Sequence, residues 1–176
     1  MKEISLNNFG LLIAYLVPGF VTLWGVSFSS PTVNAWLGGS TADAPTLGGF
    51  LYVTIASLAA GLTVSTVRWL VIDTLHHLTG IRRPSWDFSR LQENIDAFDR
   101  LIEIHYRYYQ FHANGLVAVV IAYFGRRIGL GFWSTPFGMA EVACLLVVPI
   151  LFAGSRDTLS KYYRRADALL DRTAAS

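Results

Sequence analysis

Between Asp87 and Gly125 one helical period persists while the composition changes from polar to apolar, and that combination leaves few folds open. Leu91, Ile95, Phe98, Ile102, His105, Tyr109, His112, Leu116, Val119 and Tyr123 recur at alternating spacings of four and three, which predicts a seam packed lengthwise on a partner helix. A second stripe, Asp96, Asp99, Glu103, Arg107, Gln110 and Asn114, runs along another face of the same helix. At ~1.5 Å per residue the helix would measure about 60 Å, twice a hydrocarbon core of about 30 Å. Only its C-terminal part fits in lipid, and the crossing falls near Tyr106, with Tyr108 and Tyr109 as interfacial aromatics.

The rest of the chain agrees with a membrane setting. Hydrophobic residues make up 53% of it and charged residues only 15%, and the mean hydropathy is +0.42, more apolar surface than one water-soluble core of 176 residues needs. Spans are expected at about 9–28, 50–72, 109–125 and 137–153. The first reads as a retained span rather than a cleaved signal, because its apolar run is too long and the small-residue pattern Ala42-Asp43-Ala44 lies too far downstream. Pro18-Gly19 within it is expected to kink the helix or to break it beside a ligand path. In the second span Ser57, Gly61 and Ser65 repeat every four residues, a small face that lets another helix approach closely, from the same subunit or another. The lone Cys144 excludes an internal disulfide and a multi-cysteine metal site.

The resulting fold class is all-α: a four-transmembrane-helix protein, residues 1–154, whose third helix extends into the cytoplasm through segment 85–108. Ser85 or Asp87 would cap that helix, with Asp87 and Glu93 at the positive end of its dipole. Ser155 would cap a separate amphipathic helix over 155–176, with Leu159, Tyr162, Ala166, Leu169 and Leu170 on one face. Of the 14 Lys and Arg, only Arg126 and Arg127 fall between the third and fourth spans, and Arg68 lies within a span. The others flank the opposite side, which places both termini and the central segment in the cytoplasm. A net charge of +2 confined to loops gives no basic face for nucleic acid.

Three groups of residues are candidates for function. Gln110 and Asn114 carry the polar stripe to membrane depth, where amides need shelter from lipid. Repeated around an axis, the stripe would line a polar vestibule. Alternatively Glu103 and Arg107 simply pair, and the amides bond to neighbouring helices. Histidines form the second group: His76 and His77 with Asp73, and His105 and His112 one heptad apart. Imidazole and carboxylate suit zinc or iron, yet ~10 Å along one helix separates His105 from His112, so packed or pH-sensitive imidazoles compete with a metal site. The third group is the intramembrane charges, where Arg68 would snorkel or pair with Asp73, and Glu141 would meet Arg126 and Arg127 as an ion pair or a charged outer mouth. No phosphate loop, nucleophile elbow, dinucleotide fingerprint or zinc framework occurs, and no base is placed by sequence beside Ser57, Ser65 or Cys144. Neither catalysis nor a cofactor is therefore expected.

The run Leu16-Val17-Pro18-Gly19-Phe20, followed by three further apolar spans and a cytoplasmic tail, resembles small four-pass bacterial inner-membrane proteins that act as effectors in anti-phage defence. That resemblance implies the inner membrane, a homo-oligomer, and permeabilisation when a cytoplasmic protein or a nucleotide signal engages the protein. The leading expectation is an oligomer whose stripe, Asp96 to Asn114, lines a gated pore among membrane lipids. A non-conducting scaffold that recruits a partner through the long helix and an intramembrane histidine metalloenzyme are the alternatives.

Overall fold

The computed structural model describes residues 6–38, 47–86, 88–92 and 94–170, and every described element is helical. In order these are α1 (Leu6–Ser27), the short α2 (Pro31–Trp36), α3 (Leu47–Arg68), a π-helical turn Trp69–Asp73, α4 (Thr74–Leu78), α5 (Ile95–Leu101), a second π-helical turn Ile102–Tyr106, α6 (Arg107–Leu130) and α7 (Met139–Leu170). The π turns join their neighbours into continuous rods. Three rods, Gly48–Leu78, Ile95–Leu130 and Met139–Leu170, are long and apolar enough to cross a membrane.

Helix α6 is the hub. Helix α1 lies beside it in the same direction, with Ala14 level with Asn114 and Gly25 level with Ala122 and Gly125. Helix α3 runs antiparallel to α1, and α7 antiparallel to α6. Close approach dictates the α1–α3 contact: a Cβ on Gly19 would overlap the Ser57 carbonyl, and one on Gly61 would overlap the Tyr15 carbonyl. The Ser57–Gly61 face is thus used inside the subunit. With van der Waals packing as the main attraction between apolar helices in lipid, such backbone proximity carries the association. Outward faces stay apolar, with Ile55, Leu62, Leu145 and Ile150 all more than half exposed.

Three expectations about boundaries are corrected. The long helix begins at Ile95, not near Asp87: Phe88–Arg90 is a 3-10 turn and Leu91 sits in the turn that follows, so Leu91 leaves the seam. The reason is an anchor. Trp86 donates its indole N–H to Asp167 Oδ1 at 2.7 Å and packs edge-on to Phe88, Phe98, Tyr162 and Tyr163, which fixes the chain after Pro84 in a non-helical path. Asn94 is the N-cap in place of Ser85, and Asp87 and Glu93 lie outside the described residues. Second, Ser155 begins no new helix. Helix α7 continues unbroken to Leu170 because nothing between Phe152 and Arg156 ends it; the Ser155 hydroxyl bonds back to Phe152 O at 2.8 Å within the same helix. Arg172 lies beyond the described residues. Third, Ile95 is 53% exposed, so the seam proper starts at Phe98.

Candidate functional site

Polar side chains tie α6 to its neighbours at four levels. The most elaborate is a buried cluster where α3 and α4 meet α6 and α7. Arg68 Nη1 stands 3.4 Å from Asp73 Oδ1, and the Tyr109 hydroxyl donates to the same carboxylate oxygen. The guanidinium also lies 5.1 Å from the centre of the Tyr109 ring. Beside them His76 Nε2 is 2.9 Å from Ser155 Oγ. Because the Ser155 hydroxyl donates to Phe152 O, His76 is the donor through Nε2, and its Nδ1 stays without a partner among the described residues. The two π turns flank this cluster: Asp73 ends one, and Tyr106 ends the other, three residues before Tyr109. The wider turn rotates the following residues and brings Asp73 round to Tyr109. His76 and Ser155 are fully buried, so this Ser–His contact ties two helices and is closed to substrate.

Next along α6 are the two amides. Gln110 Nε2 donates to Tyr15 Oη at 3.1 Å, and Asn114 Nδ2 donates to Ala14 O at 3.0 Å. The Asn114 contact has a clear cause. Pro18 stands four residues after Ala14 and has no N–H, so the Ala14 carbonyl lacks its helical donor and a neighbouring helix supplies one. Both amides therefore face protein, inside one subunit.

At the far end of α6, Glu141 Oε1 is 3.1 Å from Arg127 Nη2 and 3.5 Å from Arg126 Nη1, while Glu141 Oε2 accepts the Gly138 N–H at 2.7 Å. Arg127 also donates to the carbonyls of Thr135 and Phe132, closing the α6–α7 turn. Two guanidiniums thus share one carboxylate, which is desolvated to 3% exposure.

The fourth level lies toward the Leu78, Ile95 and Leu170 ends of the rods, outside the spans expected at 50–72, 109–125 and 137–153. Arg165 donates to His105 Nε2, and burial together with the adjoining Arg165 and Lys161 holds that imidazole below its ordinary value, with Asp157 opposing. His77 stacks on Tyr163, and Arg156 donates to Thr79 Oγ1 at 2.6 Å. On the stripe, Asp96 and Asp99 are exposed, Glu103 is 3.8 Å from Arg100, and the Arg107 side chain lies against Gly10 of α1. The six stripe residues therefore do not share one environment, because the π turn at Ile102–Tyr106 breaks the register between Asp99 and Gln110. Of the seam, Phe98, Ile102, His105 and Tyr109 are partly or fully buried, and His112 faces Gly154 of α7 while its Nδ1 lies 2.7 Å from Tyr108 O. Among the described residues no three His, Cys, Asp or Glu side chains converge as metal ligands.

Sequence reasoning found Arg68 beside Asp73 and Glu141 beside the two arginines, but missed Ser155, Trp86 and Tyr15. The proline at position 18 was the available signal for the Asn114 contact. No protein-family model matches the chain, and comparison with curated proteins and with solved structures found no match.

Proposed function

We propose that this chain is a four-pass inner-membrane anchor that does not itself conduct and that holds a partner protein at the cytoplasmic face. α1 counts as the fourth crossing: it has 22 residues, enough for the hydrocarbon core, and runs parallel to α6 and opposite to α3. Alternating helix directions support a topology with the Leu6, Ile95 and Leu170 ends on one side, and the distribution of Lys and Arg supports the cytoplasm as that side.

The carrying observation is the use of Gln110 and Asn114. A polar path needs such groups turned toward water, whereas here each is committed to α1. What remains available is the cytoplasmic rod, where Ile104 (42% exposed) and Tyr108 (58% exposed) lie on a flank that α7 leaves uncovered, next to exposed Asp96, Asp99 and Arg100. The Leu16–Phe20 run that resembles anti-phage effectors is occupied with packing through Pro18 and Gly19, so the anchor reading does not depend on that resemblance.

The test pairs reconstitution with pull-down. Liposomes carrying the protein should retain their ions and dye, and Ile104→Asp with Tyr108→Asp should abolish copurification of a stoichiometric partner while the protein still extracts as a folded species. Steady flux that responds to Asn114→Leu would instead restore the pore.

A further inference from the structure

Between α1 and α3 lies a recess of about 370 Å³ walled by Tyr15, Leu62, Ser65, Thr66, Arg68 and Trp69. Its polar groups are mostly donors without acceptors. Arg68 is only 4% exposed; its guanidinium is ion-paired with Asp73 at 3.4 Å and bonded to Tyr106, but its Nε and Nη1 make no hydrogen bond among the described residues. The Tyr15 oxygen accepts from Gln110, which leaves its own O–H to donate. Ser65, half-buried, adds a second hydroxyl, while Thr66 is spent on Leu62 O at 3.2 Å. Guanidinium N–H groups held out of water with no acceptor are costly, so a ligand that supplies acceptors gains what the protein alone leaves unmet.

We propose that this recess binds a phosphate group, with Arg68, Tyr15 and Ser65 as its donors. Three considerations select phosphate. The donors come from two helices and differ in direction, so one carboxylate cannot meet them all, whereas the oxygens of a phosphate point several ways. Asp73 offsets the charge of Arg68, so recognition rests on directed hydrogen bonds more than on net charge. The site also sits at the level where the apolar part of α3 gives way to Asp73 and His76, with Leu62 and Trp69 more than half exposed at its rim. That is the depth of lipid phosphates in the leaflet on the Ile95 side. The phosphate could belong to a phospholipid headgroup or be free in solution. The proposal requires the membrane location but not the anchor reading, and it stands whether or not the protein conducts.

The experiment uses the full chain purified in detergent, titrated with phosphatidylglycerol, with diacylglycerol of the same chains, and with inorganic phosphate, and read by native mass spectrometry and thermal unfolding. Phosphatidylglycerol should remain bound and raise the unfolding temperature, and diacylglycerol should do neither. Ser65→Leu, which fills the recess, and Tyr15→Phe, which deletes a donor, should each weaken binding about ten-fold. Both leave the Arg68–Asp73 pair intact, and size-exclusion profiles verify that each variant folds. Inorganic phosphate that binds alone and displaces the lipid identifies the soluble source; phosphate without effect identifies the headgroup. Equal retention of diacylglycerol and phosphatidylglycerol overturns the proposal, as does undiminished binding in both folded variants.

Discussion

Replacing Asn114 by leucine should cost stability only while Pro18 is present. In the native chain Asn114 is fully buried, and its amide is the hydrogen-bond donor that the structure gives the Ala14 carbonyl once proline has removed the helical one. Asn114→Leu keeps the branching but strands that carbonyl, and an unmet buried acceptor costs about 1–3 kcal/mol; any overpacking by the bulkier leucine is common to both backgrounds and cancels in the cycle. Against this, Asn114 Oδ1 has no partner among the described residues, so its removal returns part of the loss. Interhelical hydrogen bonds in membranes average about 0.6 and reach about 1.7 kcal/mol, so a net cost near 1 kcal/mol is expected. In a Pro18→Ala background the new N–H reaches Ala14 O, and Asn114→Leu should become neutral or slightly stabilising. The coupling energy of the cycle is then about 1 kcal/mol, well above the roughly 0.3–0.5 kcal/mol within which independent sites add. Reversible unfolding in mixed micelles measures all four proteins. Equal cost of Asn114→Leu in both backgrounds would refute the link between the proline and the amide.

Gly61→Leu should separate α1 from α3, since the side chain would meet the Tyr15 carbonyl; overpacking of at least about 1–3 kcal/mol lowers the unfolding temperature, and an unchanged value would show that the helices slide past one another. Glu141→Gln should leave Arg126 and Arg127 facing each other and lower thermal stability, with Arg126→Gln in the same chain recovering it; no recovery would mean that Glu141 acts through Gly138 alone. For His105 the folded value lies below the ordinary 6.5, so its contact with Arg165 contributes fully above pH 6.5 and is lost as pH falls through the folded value. Trp86 fluorescence should report the α5–α7 contact loosening on acidification, and His105→Gln, which retains an acceptor, should flatten the curve.

What the sequence disclosed was whatever depends on spacing within one helix. Ser57 and Gly61 announced a close approach, and the nearness of Arg68 and Asp73 in sequence suggested their pairing, which the π turn Trp69–Asp73 completes by bringing residues five apart closer to one face. The α6–α7 turn is short enough to set Glu141 level with Arg126. Contacts across the bundle were hidden for a different reason: His76 with Ser155 and Trp86 with Asp167 depend on helix order and relative height, neither of which is encoded in one segment's period. The helix start failed at Asp87 because periodicity there is overruled by the tertiary anchor of Trp86, and the continuous stripe failed at the π turn, which no residue type in Ile102–Tyr106 signals.

The same ties constrain any account of transport. A water path through one subunit along α6 would have to break Gln110 from Tyr15, Asn114 from Ala14 and Tyr109 from Asp73, and each break strands polar groups unless water replaces the partner. A path between subunits would be lined by the outward faces, and those present Ile55, Leu62, Leu145 and Ile150. A passage so lined favours dewetting over conduction. Polar groups at the depth of the apolar helices in this chain therefore account for how four helices hold their register, and the polar atoms left without a hydrogen bond among the described residues include Nε and Nη1 of Arg68.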